Sequence, residues 1–280
     1  MAFAISMLSE QSGMQRSFLE QKITQAGGLI LEDGFQGLFE ASPAVNARGQ
    51  IIEEGDALRL AQASSDCGFT ALIADGHSRK SKYMQALALG LPCLAHQWIS
   101  ACLARGEIVD WQPYLLAAGV SAALGDAVRS RCLRPYPAVG ARLAESVEQR
   151  PRLLAGQSLL LVANPKGAWS STKEYIFLAQ ALGPRVHRVC TARDAYEALS
   201  AREKDRHVFD WIYIDEAIGT VDLLLPVENR PAAGKKRKKT AVIPPRVHDI
   251  RVLSNELVIQ SLISGRMIGE DEIPEKGYRG

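Results

Sequence analysis

The strongest constraint on the fold is a repeated order of segments: short apolar stretches alternating with helix-like stretches occur twice along the 280 residues. Sliding one half along the other pairs Trp98 with Leu257 and Gly106 with Gly265 without a gap. Both segments carry apolar residues at i, i+4 spacing and end at a glycine, which is typical of amphipathic helices with a left-handed residue after the last turn. We therefore predict an internal duplication.

Each half is predicted to form a parallel sheet covered by helices on both sides, because strands alternate with helices along the chain. Continuous apolar stretches such as Leu72-Ile73-Ala74 suit strands that are buried on both faces. In the first half we predict strands at 3–8, 29–31, 70–74 and 93–95, and helices at 14–26, 80–89 and 98–105. In the second half we predict strands at 158–163, 185–190, 211–214 and 250–253, and helices at 171–182, 192–201 and 255–265.

Two segments interrupt this order. A polar insertion at 33–66 contains the turn-prone Asn46-Ala47-Arg48-Gly49, and we predict loop with some helix there. A second segment, 119–152, contains a candidate helix at 122–129 followed by stretches rich in Pro and Gly, which indicates a linker. We therefore predict two domains, 1–118 and 153–280, joined by the linker 119–152.

Composition excludes several classes of protein. Hydrophobic residues make up 47% of the chain, which is enough to bury two ordinary cores and does not fit bulk disorder. The longest apolar runs stop well short of the roughly 20 residues of a membrane-spanning helix, and the N-terminus lacks a secretory signal. The five cysteines form no CxxC pair, so neither a disulfide framework nor a zinc site is predicted. We expect an intracellular chain with no membrane partner, no metal and no cofactor.

The sequence offers poor candidates for catalysis. His77 adjoins Asp75 and Ser78, but near neighbours in sequence cannot converge into a catalytic triad. The other histidines show no metal-ligand spacing. Neither of the glycine-rich nucleotide loops, GxxxxGK[ST] or GxGxxG, is present. We predict that the protein is not an enzyme.

Three cations in the stretch Ser78-Arg79-Lys80-Ser81-Lys82-Tyr83 lie at the predicted start of a helix, directly after a buried strand. A helix N-terminus offers unpaired backbone N–H groups and a partial positive charge, both of which favour anions. Arg79 and Lys82 are three residues apart and lie on neighbouring faces of the first turn. A phosphorylated ligand is the first hypothesis, and the alternative is a basic helix start that only faces water.

The segments around this stretch resemble BRCT domains, specifically the first of the tandem pair in DNA-damage checkpoint mediators of fungi and their vertebrate counterpart. The resemblance is carried by five motifs, which are the opening strand 2–6, the turn Gly27-Gly28, the segment LIADGHSRKSKY, the turn Gly90-Leu91-Pro92-Cys93 and the helix of Trp98. It covers residues 2–118 strongly and 153–270 more weakly. It implies an α/β fold of two BRCT domains, each a small central parallel β-sheet flanked by helices, packed as a tandem pair.

The resemblance also implies a phosphate site. Ser6 and Lys82 match the family positions that donate a hydroxyl and an ammonium group to phosphate, and Met7 would add its backbone N–H. Charge-assisted hydrogen bonds of this kind are about twice as strong as neutral ones. Arg79 matches the position that contacts the peptide main chain or a free C-terminal carboxylate, which suits its planar guanidinium. Lys80 is expected as an outer peptide contact.

The second half is expected not to bind phosphate. Val162 or Ala163 stands where the first half has Ser6, and Asp215-Glu216 replaces the basic helix start. An acidic pair at that place would repel a phosphate group. We therefore expect the second half to pack against the first half and complete a peptide groove.

By resemblance, the chain is expected to be a nuclear, non-catalytic phosphoserine-binding module of a checkpoint mediator. The expected partner is the phosphorylated C-terminal tail of histone 2A at DNA breaks, or another phosphoserine protein. The alternative is a phosphate-independent scaffold that binds a folded partner or forms a homodimer. A basic segment at 235–239 leaves three interpretations open: a solvated loop, a nuclear-import signal or a weak DNA-backbone contact. Its cations are Lys235, Lys236, Arg237, Lys238 and Lys239.

Overall fold

A computed structural model describes residues 1–8, 13–40, 51–52, 58–163, 172–204, 209–215 and 250–274. The strands are β1 (Ala2–Ser6), β2 (Leu29–Ile30), β3 (Ile51–Ile52), β4 (Thr70–Ala74), β5 (Cys93–Ala95), β6 (Gly119–Ser121), β7 (Ala127–Arg129), β8 (Ser158–Val162), β9 (Arg185–Val189), β10 (Trp211–Ile214) and β11 (Arg251–Val252). The helices are α1 (Gly13–Gln25), α2 (Ser81–Ala88), α3 (Gln97–Arg105), α4 (Leu143–Glu148), α5 (Thr172–Ala181), α6 (Ala192–Lys204) and α7 (Asn255–Ser264).

The first half forms a four-stranded parallel sheet in the order β2-β1-β4-β5. The central strand β1 pairs with β4 along its whole length, from Ala2 opposite Thr70 to Ser6 opposite Ala74. Every residue of both strands is buried, as expected for a parallel sheet with both faces covered. The predicted parallel sheet of this half is confirmed.

The second half repeats this topology. Its parallel strands lie in the order β9-β8-β10-β11. In both halves the first strand of the set in chain order lies between the second and the third, and the fourth lies outside the third. Trp98 in α3 and Leu257 in α7 are both fully buried, and both helices end at a glycine with positive φ, Gly106 at 69° and Gly265 at 67°. The internal duplication predicted from the sequence is therefore confirmed.

The two halves pack together through α2 of the first half, which contacts α5 and α7 of the second half. Six of the eight residues of α2 are buried, and a single apolar core runs from this helix into the second sheet. Because α2 packs against both halves, the positions of the residues at its ends depend on the second half as well as on the first.

The linker contains a β-hairpin where we predicted a helix at 122–129, and that prediction was wrong. Strands β6 and β7 pair antiparallel, with Val120 opposite Val128. The turn between them needs left-handed backbone at Gly125 (φ 65°) and Asp126 (φ 62°), which a helix cannot contain. Farther along the linker lies the short helix α4, which the sequence analysis did not predict.

The insertion contributes β3, which pairs antiparallel with β9 of the second sheet. Nearby, the ring of Phe39 lies edge-on to Phe177 of α5, with 5.5 Å between their centroids. We predicted loop with some helix at 33–66, so the strand is an addition to that prediction. Residues 41–50 and 53–57 of the insertion lie outside the described part of the chain.

Two further findings apply to the described residues only. None of their helices combines the length and the apolar character that crossing a membrane requires. Within the same ranges, no three side chains among His, Cys, Asp and Glu are grouped so that they could hold a metal ion.

Candidate functional site

The candidate site begins where the central strand of the first sheet ends. Ser6 is the last residue of β1, and its exposed fraction is only 8%. In a parallel sheet the carboxyl ends of the strands and the starts of the following helices meet at one edge, which is where open α/β sheets bind ligands. The structure therefore places Ser6 at the edge of the first sheet that is able to form a site.

The start of α2 is tied to this edge by Lys80. Lys80 is the N-cap residue of α2, with extended backbone and no side-chain hydrogen bond to the helix. Its ammonium group instead donates to the backbone carbonyl of Met7, which directly follows β1. This contact brings the first turn of α2, with its donor N–H groups, next to the exit of β1.

Lys82 lies one residue into α2 and reaches across to the end of β2. Its ammonium group donates to the backbone carbonyl of Glu32. Burial lowers the pKa of Lys82 below that of an exposed lysine, and the positive charge of Arg16 lowers this pKa further. The carboxylates of Asp33, Glu20 and Glu32 act in the opposite direction. A partly desolvated ammonium group has lost hydration that a bound anion would replace.

Arg16 and Glu20 of α1 are neighbours of Lys82 that the sequence analysis missed. They form an ion pair one helical turn apart, with 2.7 Å between Arg16 Nε and Glu20 Oε1. The i, i+4 spacing was visible in the sequence, but nothing in the sequence placed α1 beside α2. The pair therefore adds one cation and one carboxylate to the surroundings of Lys82, with opposite effects on its pKa.

The loop after β2 is shaped to fit α2. The side-chain oxygen of buried Gln85 accepts the backbone N–H of Phe35 at 2.9 Å. Gly34 has φ +85°, and a Cβ atom there would lie 2.6 Å from Oε1 of Gln85. Only glycine fits both the backbone conformation and the space. The loop that carries Glu32 is thereby fixed against the helix that carries Lys82.

Arg79 points away from the exit of β1 and toward the second half. Its guanidinium forms an ion pair with Glu256 in the first turn of α7. The other carboxylate oxygen of Glu256 accepts from the side-chain amide of Gln260 at 3.1 Å. Arg79 therefore lies at the contact between the halves, where a ligand carboxylate would have to share it with Glu256.

Asp75 follows β4 and organises the segment after β1. Its two carboxylate oxygens accept the backbone N–H of Leu8 at 2.9 and 3.0 Å. The second half has Asp215 at the same position after β10, and Asp215 is buried. An aspartate after the third strand is thus common to both halves and does not by itself set them apart.

The residue at the end of the central strand does distinguish the halves. Ser6 pairs with Ala74 just before Asp75, and Val162 pairs with Ile214 just before Asp215. Valine cannot donate a hydrogen bond from its side chain. Glu216 and the segment that follows β10 lie outside the described residues.

Comparison with known proteins identifies the first half. The model of the BRCA1 C Terminus (BRCT) domain family matches residues 3–103. The first half of the chain is a BRCT domain. The shared strand order extends the BRCT fold to the second half, so the predicted fold class of two BRCT domains in tandem is confirmed.

Two curated relatives are DNA repair proteins of fungi. The chain is 30% identical over 172 residues to the DNA repair protein crb2 of Schizosaccharomyces pombe, which is 61% of this chain and 21% of that protein. It is 38% identical over 117 residues to the DNA repair protein RAD9 of Saccharomyces cerevisiae, which is 38% of this chain and 9% of that protein. The chain therefore spans a small part of either relative, and the predicted resemblance to the mediator family is confirmed.

Among solved structures, the BRCT5-BRCT6 domains of S. pombe Brc1 align with 98% of this chain and 99% of that chain. The TM-score of this alignment is 0.47 and the sequence identity is 14%.

Proposed function

We infer that this tandem BRCT module is a phosphoprotein-binding part of a DNA-damage checkpoint adaptor and acts in the nucleus. The proposed division is a phosphate-binding domain at 1–118, a linker, and a second domain at 153–280 that has no phosphate site. The observation that carries the proposal is the contact of Lys80 with the carbonyl of Met7, which ties the basic start of α2 to the strand end at Ser6. The similarity to two fungal DNA repair proteins supports the biological setting.

In the proposed complex a phosphoserine lies between the end of β1 and the start of α2. The Ser6 hydroxyl, the Met7 backbone N–H and the Lys82 ammonium group donate to its oxygens. A phosphate carries about two negative charges at neutral pH and accepts several charge-assisted hydrogen bonds. Arg79 contacts the peptide beyond the phosphoserine, and Lys80 is an outer contact to the same peptide. The proposed ligand is the phosphorylated tail of histone 2A, whose free carboxylate suits Arg79.

The test is fluorescence-anisotropy binding of a histone 2A tail peptide in three forms: phosphorylated with a free C-terminus, phosphorylated with an amidated C-terminus, and unphosphorylated. We expect Lys82→Met to weaken binding of the phosphorylated peptide by about 10- to 100-fold, the range expected for losing a hydrogen bond between charged groups. The matched control is Lys22→Met. This lysine of α1 contacts the ring of Phe18 and is not one of the residues proposed to bind the peptide. Equal binding of all three peptide forms would remove the phosphate site from the proposal.

One observation favours the alternative of a phosphate-independent scaffold or homodimer. The linker hairpin exposes Val120, Leu124 and Val128, and the exposed fraction of Val128 is 56%. Exposed apolar residues grouped on one hairpin are typical of a protein-binding surface. Sedimentation velocity of the wild type and of Val128→Asp tests this, because a dimer formed through the hairpin would dissociate in the variant. The proposed weak DNA contact rests on residues 235–239, which lie outside the described part of the chain.

A further inference from the structure

The linker residue Arg131 binds the C-terminal end of α2. Its Nη1 donates to the carbonyl of Leu91 and lies 3.1 Å from Sγ of Cys93, and its Nη2 donates to the carbonyl of Ala86 at 3.3 Å. Ala86 belongs to the last turn of α2, Leu91 follows that helix, and Cys93 begins β5. One guanidinium therefore joins the end of the helix to the start of the next strand. We call this set of contacts the Arg131 anchor.

The chemistry of each partner suits a guanidinium. The C-terminal end of a helix carries a partial negative charge that favours a cation, and the Ala86 carbonyl, which already accepts the backbone N–H of Leu91 at 2.9 Å, has a second lone pair for Arg131. Cys93 is fully buried, and burial raises the pKa of its thiol, so the sulfur stays neutral and can accept a hydrogen bond. A guanidinium has donors spread over separate nitrogens in one plane and contacts all three acceptors at once, whereas the donors of a lysine all lie on one compact ammonium group.

A second contact ties the same helix to the linker. The phenol of buried Tyr83, the third residue of α2, donates to the carbonyl of Ala117 at 2.5 Å. The neighbouring Ala118 donates its backbone N–H to the carbonyl of Arg129 at 2.8 Å. The hairpin thus returns the chain to the same place, and the linker contacts α2 in its first turn through Tyr83 and in its last turn through Ala86.

The opposite end of α2 carries the candidate phosphate site. Lys82 lies one helical turn before Ala86, and the eight residues of α2 span only about 12 Å. A helix of this length moves as a rigid unit, so a shift at its last turn also shifts Lys82 and the first-turn N–H groups. Arg79 precedes α2 and is held separately by Glu256 of α7.

We propose that Arg131 is a positioning residue for the phosphate site: by holding the C-terminal end of α2, it sets the place of Lys82 and of the first-turn N–H groups relative to Ser6. The inference rests on the proposed function, because it assigns a role to the linker in phosphate binding. The inference concerns phosphate binding and not carboxylate binding, because Arg79 is held by Glu256 of the second half.

The binding test uses the three peptide forms with the full chain, as wild type, Arg131→Met, Arg131→Lys and the control Arg129→Met, in which an exposed hairpin arginine is changed. Two ratios are measured: phosphorylated over unphosphorylated affinity, and free over amidated C-terminus affinity. We expect Arg131→Met to lower the phosphate ratio about tenfold, the scale of one hydrogen bond to a charged group, and to leave the carboxylate ratio unchanged. Arg131→Lys should be intermediate, and Arg129→Met should match the wild type. An unchanged phosphate ratio, or an equal fall in both ratios, overturns the inference.

A second measurement needs no ligand and applies even if Arg131→Met does not fold. Amide hydrogen exchange of the free protein should be faster in α2 of Arg131→Lys than in the wild type, with exchange unchanged in α6, which packs against β8 in a separate apolar cluster. Unchanged exchange in α2 overturns the Arg131 anchor. If the wild type fails to distinguish phosphorylated from unphosphorylated peptide, the proposed function fails, and this exchange result still decides whether Arg131 holds α2.

Discussion

The two halves of the molecule share one strand order, yet they differ at the single position where a site would begin. The first central strand ends at Ser6 and the second ends at Val162. Each of these residues pairs with the last residue of the neighbouring strand, and an aspartate, Asp75 or Asp215, follows that strand. The common topology brings strand ends and helix starts together in both halves. The difference teaches that the shared topology places a strand end and a helix start together in both halves, while the proposed phosphate site further requires the side chain at the strand end and the cations of the next helix, which we assign only to the first half.

The largest effect is expected in the helices that carry the repeat. The indole N–H of Trp98 donates to the carbonyl of Val109 at 3.1 Å, and its ring lies 5.9 Å from Phe3 and 5.6 Å from Phe69. We expect Trp98→Ala to lower the free energy of unfolding by about 3–5 kcal/mol, because it leaves a large cavity. Leu257→Ala, at the equivalent place in the second half, should cost about 2–5 kcal/mol. Urea denaturation measures both, and a cost below about 1 kcal/mol for either variant would contradict the equivalence of the two helices.

The next effect tests the strand ends directly. Ser6→Ala removes one proposed donor and should weaken phosphopeptide binding by about 1.5–3 kcal/mol, as expected for a hydrogen bond to a charged group. The reciprocal variant Val162→Ser should leave binding unchanged, because the second half lacks the proposed cations. Both are measured by the same anisotropy titration. Phosphate binding that survives Ser6→Ala and disappears in Val162→Ser would reverse the assignment of the two halves.

A smaller effect separates the starts of the two repeated helices. The hydroxyl of Ser254 accepts the backbone N–H of Leu257 at 3.2 Å and caps α7, whereas α3 begins at His96 without a side-chain cap. Ser254→Ala should lower the free energy of unfolding by about 1 kcal/mol, the usual cost of losing a cap. Ser254→Thr keeps the hydroxyl and should restore most of this stability. Thermal denaturation measures both variants, and equal losses in the two would mean that the cap does not contribute.

The smallest effect concerns the ion pair between the halves. Glu256 and Arg79 are both partly exposed, so Glu256→Gln should change stability by at most about 1 kcal/mol. Removing this carboxylate frees the guanidinium for a ligand, so preference for a free over an amidated peptide C-terminus should rise by a few-fold. The same three peptide forms measure it. A lost preference would show that Glu256 orients Arg79 and does not compete with the ligand.

Local patterns in the sequence were sufficient to predict most of the fold. The burial of β1 and β4 follows from their continuous apolar residues, and the duplication follows from the gapless match of Trp98 with Leu257. The hairpin was missed because its alanine-rich sequence favours a helix, and the turn at Gly125 and Asp126 decides otherwise.

The parts of the candidate site that were missed depend on long-range contacts. Glu256 is 177 residues from Arg79, and no local pattern joins them. The position of Arg16 beside Lys82 likewise requires the packing of two helices against the same sheet. The partners of Lys80 and Lys82 appear only when the first half is folded, and the partner of Arg79 appears only when the two halves are packed together.

The pairing of β3 with β9 has a consequence for attempts to separate the two halves. It covers the outer strand of the second sheet with a backbone segment from the first half, Ile51 opposite Arg188 and Ile52 opposite His187. A second half expressed alone would leave the N–H and C=O groups along that edge without this cover. Open strand edges recruit other strands, so such a fragment should aggregate even if its own core folds. The insertion therefore protects part of an otherwise open sheet edge of its neighbouring domain.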